Sequence, residues 1–147
     1  MATRKKILTL TLIITSLLIG LVVCIYTLSK KASNAVSENS NVEVKIGSKE
    51  LLAAFMKDEA TANKNFVEKI IEVEGQVRDI TFLNDRYTIL LQGQGDYACL
   101  MCDMNPEQIE KIGQIKKGDN ITLKGICKGF LMDAILLNCV LIKNSDE

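Results

Sequence analysis

Ile71-Glu72-Val73-Glu74-Gly75-Gln76-Val77 alternates without a break. The odd positions are apolar or glycine, and the even ones are charged or amide. An extended backbone turns successive side chains to opposite faces, so this stretch reads as a half-buried strand. The same period returns downstream. Tyr87 to Gln92 (YTILLQ) follows an Asn84-Asp85 turn, and Tyr97 to Met104 (YACLMCDM) follows Gly93-Gln94-Gly95-Asp96. Asn120 to Cys127 gathers Ile121, Leu123, Gly125 and Cys127 on one side. Ala134 to Ile142 gathers Ile135, Leu137, Cys139 and Leu141.

Two helices punctuate these strands. Ser48 is a good N-cap residue for a helix running to about Asn63, with Leu51, Leu52, Phe55 and Ala62 at helical spacing. Asn105-Pro106-Glu107-Gln108 reads as an N-cap, a first-turn proline and a glutamine placed to complete a capping box. The helix it opens carries Ile109, Ile112 and Ile115 and stops at Lys116-Lys117-Gly118-Asp119. Three strands, a helix and two strands is the element order of the OB barrel. The expected fold class is mainly β with short helices: a five-stranded OB-type Greek-key barrel with a leading helix, over residues 48–143. Gly75 and Gly125, inside strands, suit the tight bending of so small a barrel. Residues 144–147 form a tail.

Upstream, Ile7 to Leu28 (ILTLTLIITSLLIGLVVCIYTL) is 22 residues without a charge, between Arg4-Lys5-Lys6 and Lys30-Lys31. At about 1.5 Å per residue this length crosses a hydrocarbon core of about 30 Å. A cleaved signal peptide has a shorter apolar run, and Val22-Val23 are too bulky for a lipoprotein signal ending at Cys24. The expectation is an N-terminal transmembrane helix over 7–28 with a cytoplasmic tail at 1–6. The lipid bilayer is then a partner through residues 7–28, and the C-terminal domain is extracytoplasmic. Residues 29–47 are the linker; Lys30 to Asn41 (KKASNAVSENSN), polar and without apolar period, reads as a flexible tether.

Charge narrows the function. The chain has 18 basic and 18 acidic residues and no histidine. Five basic residues flank the apolar segment, leaving thirteen against eighteen acidic ones from Ala32 onward. An acidic domain repels a phosphate backbone, which makes nucleic acid an unlikely partner. The missing histidine removes the commonest general base and metal ligand.

The stretch from Leu51 to Ile142 resembles the bacterial tRNA-anticodon-binding-like (tRNA_anti-like) OB-fold family. The residues that carry the resemblance are Phe55…Asp58-Glu59-Ala60, Glu74-Gly75-Gln76-Val77, Met101-Cys102-Asp103-Met104 and Lys117-Gly118-Asp119…Leu123-Lys124-Gly125. The run Ile126 to Asp133 (ICKGFLMD) with Asn138-Cys139 is the most specific part. The resemblance implies a small domain tethered behind one membrane helix at a bacterial envelope. The family's name records a likeness of fold and does not imply tRNA binding. Met104 stands where the family would lead one to expect an aromatic, and Cys99 looks like an addition to the pattern.

No constellation for catalysis emerges. Cys99-Leu100-Met101-Cys102 has the spelling of a redox or zinc motif, but residues three apart on a strand face opposite ways. Asp58-Glu59, adjacent on a helix, cannot straddle a substrate as paired catalytic carboxylates do, and reads as a solvated face or a cap. Gly93-Gln94-Gly95-Asp96 precedes a strand and lacks the helix N-terminus of a phosphate cradle. Cys102, Cys127 and Cys139 are expected as buried thiols or disulfide partners. Tyr87, Tyr97 and Arg86 are the candidate ligand face. The expectation is a non-catalytic binding or interaction module without cofactor or metal, with an envelope protein as candidate partner. Its alternatives are an oligonucleotide- or oligosaccharide-binding OB domain, and a thiol redox or metal-binding protein through Cys99 and Cys102.

Overall fold

In the computed structural model of the chain, residues 15–22, 36–93, 95 and 97–144 are described, and they fall into two units, 1–35 and 36–147. In the first, residues 15–22 are helical and exposed. Among the described residues no helix is long and apolar enough to cross a membrane. Most of the expected span 7–28 lies outside them.

The described residues of the second unit form six strands: β1 (Val44–Gly47), β2 (Ile70–Leu83), β3 (Arg86–Gln92), β4 (Cys99–Met104), β5 (Asn120–Phe130) and β6 (Ala134–Asn144). Their order is β1-β2-β3-β4-β6-β5, and an added β2–β5 pairing closes strands β2 to β6 into a five-stranded barrel. This is the closed barrel of the OB fold, its first strand shared between two neighbours. β2 pairs with β5 from Ile70 to Gln76 and with β3 from Val77 to Leu83, changing neighbours beside Gly75 and a bulge at Val77/Asp79. Asn84 and Asp85, at φ 51° and 59°, make a two-residue hairpin turn whose twist matches the strands it joins.

The inward residues of β2 (Ile71, Val73, Val77), β3 (Ile89, Leu91), β4 (Leu100, Cys102, Met104) and β5 (Ile121, Leu123, Cys127) form one core. The alternation read in the sequence holds through these strands. β6 departs from it. Ala134 and Leu136 point inward, then Cys139 does, because Asn138 at φ 54° shifts the register opposite Lys124–Ile126. Asparagine tolerates that left-handed backbone. Ile135 and Leu137, expected to share a face with Cys139, therefore lie on the outer side.

The leading helix is two helices, not one: α1 (Ser48–Lys57) and α2 (Glu59–Phe66). Asp58 between them is extended (φ −155°, ψ 92°), and its carboxylate accepts from the Thr61 N–H at 3.1 Å and the Thr61 hydroxyl at 2.7 Å. Those bonds hold the Asp58 pKa below the usual carboxylate value. An aspartate that satisfies the first free N–H groups of a following helix starts a new one. Of the two readings given to Asp58-Glu59, the cap is the one observed at Asp58. α1 buries Leu51, Leu52 and Phe55 over the barrel, and Phe55 stacks on Phe130 at 5.8 Å and meets Phe66 at 6.0 Å.

The helix after Asn105 is shorter than its isoleucines suggest: one 3-10 turn (Pro106–Gln108) and one α turn, α3 (Ile109–Ile112). Asn105 does cap it, accepting from the Glu107 N–H. Gln108 does not complete a capping box; its Oε1 accepts from the Leu141 N–H on β6 instead.

The tether ends earlier than its composition implies. Residues 36–47, expected in the linker, are part of the domain. Val36 is 2% exposed, packed with Ile126, Val140 and Ile70 on the outer side of the barrel. Lys124 is only 8% exposed, and its ammonium donates to the Glu38 carbonyl at 2.6 Å and the Ser40 carbonyl at 3.4 Å. Glu38 pairs with Lys111, which lowers its pKa. The Glu43 N–H donates to the Ile70 carbonyl and β1 continues parallel to β2. A polar segment without periodicity is thus docked by one valine and one buried cation. Lys124→Met is expected to free residues 36–43, with faster amide exchange at Glu43 and a loss of about 1–3 kcal/mol for a charge-assisted bond. Hydrogen exchange with and without the substitution measures both.

Candidate binding face

In OB barrels the strands equivalent to β3 and β4 present the ligand face. Here their outward residues are Thr88, Leu90 and Gln92 on β3, and Cys99, Met101 and Asp103 on β4. Leu90 pairs with Met101 and Met101 with Ile135 of β6, so three half-buried apolar side chains make a row across three strands. Thr88 and Asp103 flank the row on one side, Gln92 and Cys99 on the other. At the Cys99 end stand Tyr97 (99% exposed), Leu131 (85%) and Met132 (82%). The turn after β5 is held there by Asp133, whose Oδ1 accepts from the Cys99 N–H at 2.7 Å.

The three residues expected to form one ligand face are not brought together. Arg86 lies beside the row, but Asp103 engages it at both Nε (3.0 Å) and Nη2. Tyr87 has the opposite phase and packs against Phe82 near the hairpin tip, with ring centroids 4.5 Å apart. Tyr97 precedes β4, which begins at Cys99, and sits at the far end of the β3–β4 ladder from Tyr87. Five residues of strand, about 17 Å, separate the two ends. The apolar row itself went unread, because Ile135 was assigned to the interior.

No lysine stands on the outward positions of β3 or β4. A strip of half-buried aliphatics whose Arg86 is already held by Asp103 offers a phosphate backbone little free positive charge.

The cysteines behave as strand phase requires. Cys102 is in the core, while Cys99 faces out beside Arg78 and Asp133. Burial, then the Asp133 carboxylate, raises the Cys99 pKa against the opposing pull of Arg78. Cys127 and Cys139 are buried, and burial raises both; Cys139 is also hydrogen-bonded to Cys102. These four thiols are unbridged. Nucleophilic thiol chemistry needs a thiolate, and the shifts at Cys99, Cys127 and Cys139 favour the protonated form. Among the described residues no group of three His, Cys, Asp or Glu side chains could hold a metal.

Away from this row, a concavity of about 650 Å³ lies by the start of α1 among Lys45, Lys49, Glu50, Glu72, Glu74 and Gln76. Its charges are nearly balanced, Lys45 and Lys49 against Glu50, Glu72 and Glu74, and Lys45 is taken by Glu72 at 2.8 Å. The Gly47 N–H at the start of α1 is met by Glu50.

Comparison with known proteins bears on the fold. No curated protein matches the chain. Among solved structures, it is similar to a "putative nucleic acid-binding lipoprotein" from Klebsiella pneumoniae, with 17% identity and a TM-score of 0.55 over 69% of this chain and 92% of that one. It also matches the aspartyl tRNA synthetase from Entamoeba histolytica at 11% identity and a TM-score of 0.43, over 72% of this chain and 26% of that one. The model of the tRNA_anti-like family matches residues 1–141, further toward the N-terminus than the resemblance from Leu51 onward. With that match over nearly its whole length, and a closed five-stranded barrel beneath it, the chain belongs to the tRNA_anti-like family.

Proposed function

We propose that this chain is a non-catalytic protein-binding module, held at the outer side of a bacterial membrane by a helix over residues 7–28. The observation that carries the binding reading is the row Leu90, Met101 and Ile135, continued by exposed Tyr97, Leu131 and Met132. Apolar and aromatic surface beside which Arg86 is already paired with Asp103 favours a protein partner over a polyanion. The anchor reading rests on the length and flanks of the apolar segment, and the family match extends over it.

A second reading, binding of single-stranded nucleic acid, draws on the name of the K. pneumoniae relative. Two measurements separate the readings. Crosslinking pull-down with the intact chain and with a fragment from Ala32 is expected to recover one protein partner in both cases. Met101→Lys, which puts a charge mid-row, is expected to reduce that recovery about tenfold, since the few residues that carry most of a binding energy cluster at the centre of an interface. Titration with single-stranded oligonucleotide is expected to show no saturable binding. Saturable binding that weakens steeply with salt would reverse the ranking.

A further inference from the structure

The β2–β3 hairpin carries a backbone edge that no described strand covers. β5 pairs with β2 only as far as Gln76. The turn before β5 then takes Val77, whose N–H donates to the Asp119 carbonyl and whose carbonyl accepts from Gly118. Beyond that point β2 has β3 as its one neighbour. Leu83 and Arg86 flank a two-residue turn, the position of a pair that exchanges both hydrogen bonds. Bonding direction alternates from there, so Thr81 and Leu83 face β3, while Ile80 and Phe82 aim their N–H and C=O groups outward. The Ile80 N–H confirms the direction: it donates to the Asp79 carboxylate at 2.9 Å. On this edge Phe82 is 56% and Leu83 72% exposed.

We propose that a second copy of this chain adds to this edge, antiparallel, about a twofold axis through Thr81. The edge is complementary to itself. Its outward groups belong to residues 80 and 82, symmetric about 81, so Ile80 meets the partner's Phe82 and Phe82 meets the partner's Ile80, giving four backbone bonds. Those apolar side chains share a face and extend the Phe82–Tyr87 contact across the axis. On the other face Asp79 comes opposite the partner's Leu83, whose neighbour in its own hairpin is Arg86. The carboxylate that leaves the Ile80 N–H thus approaches a cation. Arg78 to Leu83 contains neither lysine nor proline, residues that keep edges apart, and its one Arg and one Asp cancel. An added strand of about six residues buries less than the roughly 1,200 Å² of a lasting interface, so the pairing is transient. It stands apart from the reading of the β3–β4–β6 row.

Trapping tests it. In such a pair the two Thr81 Cα atoms are about 4.5 Å apart, within disulfide reach. Thr88 shares that face one strand further in, about 14 Å from its counterpart. Oxidation of the full-length Thr81→Cys chain is expected to give about tenfold more covalent dimer than the parent chain, which carries the native thiols, or than Thr88→Cys. Adding Phe82→Lys, at an exposed site that leaves the core intact, is expected to return the yield to the parent level. A Thr81→Cys yield equal to the parent's overturns the proposal. So does equal trapping at Thr88, or a yield that Phe82→Lys leaves unchanged.

Discussion

Phe55→Ala is expected to lower the unfolding free energy of the domain by about 3–5 kcal/mol, the range for truncating a buried aromatic. Phe55 is 2% exposed, and its ring stacks on Phe130 at 5.8 Å with 12° between planes and meets Phe66 at 6.0 Å. It therefore joins α1, α2 and the end of β5. Removing it leaves a cavity lined by two rings that have no other aromatic partner among the described contacts. Ala62, nearby on α2, is too small to fill it. Urea unfolding of residues 36–147 measures the loss. A cost below about 1 kcal/mol would mean that the helices settle onto the barrel without this ring.

Gly125→Ala is expected to cost about 1–3 kcal/mol for a different reason, excess volume in place of a void. A β-carbon there would stand 2.6 Å from the Cys139 Sγ, 3.2 Å from the Leu136 Cβ and 3.3 Å from the Leu137 carbonyl oxygen. The sulfur is the atom in the way, and the shift at Asn138 puts it there. Cys139→Ala alone removes a buried atom and is expected to cost about 1 kcal/mol. The double substitution should cost less than the sum of the two, with a coupling of about 1 kcal/mol. Additive costs would show that the backbone of β6, not the thiol, forbids a side chain at 125.

The same pair of residues marks the boundary of what could be read from the sequence. Alternation located every barrel strand, and the element order was enough for the OB topology, because inward and outward positions differ in chemistry wherever the period is unbroken. It misassigned β6, where one asparagine in a left-handed conformation exchanges the faces. Asp58 is similar: a helix pattern spans it, yet its own carboxylate starts a second helix. β1 was missed because four residues, VKIG, are too few to show a period. The docking of residues 36–43 was hidden for another reason. Its partners, Lys124, Ile126 and Val140, are remote in sequence, and a buried lysine looks like any surface lysine until its carbonyl acceptors are seen. The candidate face fared worst, since Tyr87, Tyr97 and Arg86 were chosen by residue type near two strands, and type does not give phase.

The place of β6 in the strand order bears on how the chain reaches its native state. β6, the last of the barrel strands in chain order, is inserted between β4 and β5, and its pairing with β4 is parallel and bridges more than thirty residues. Contacts of that sequence separation form slowly, typically in milliseconds to seconds for barrels of this kind. Until residues 134–144 emerge, one side of β4 and one side of β5 have no neighbour, and the cylinder stays open. While residues 36–133 are being synthesised the barrel must therefore remain in an unclosed, protease-sensitive form, and it acquires its resistance once residues 134–144 are in place.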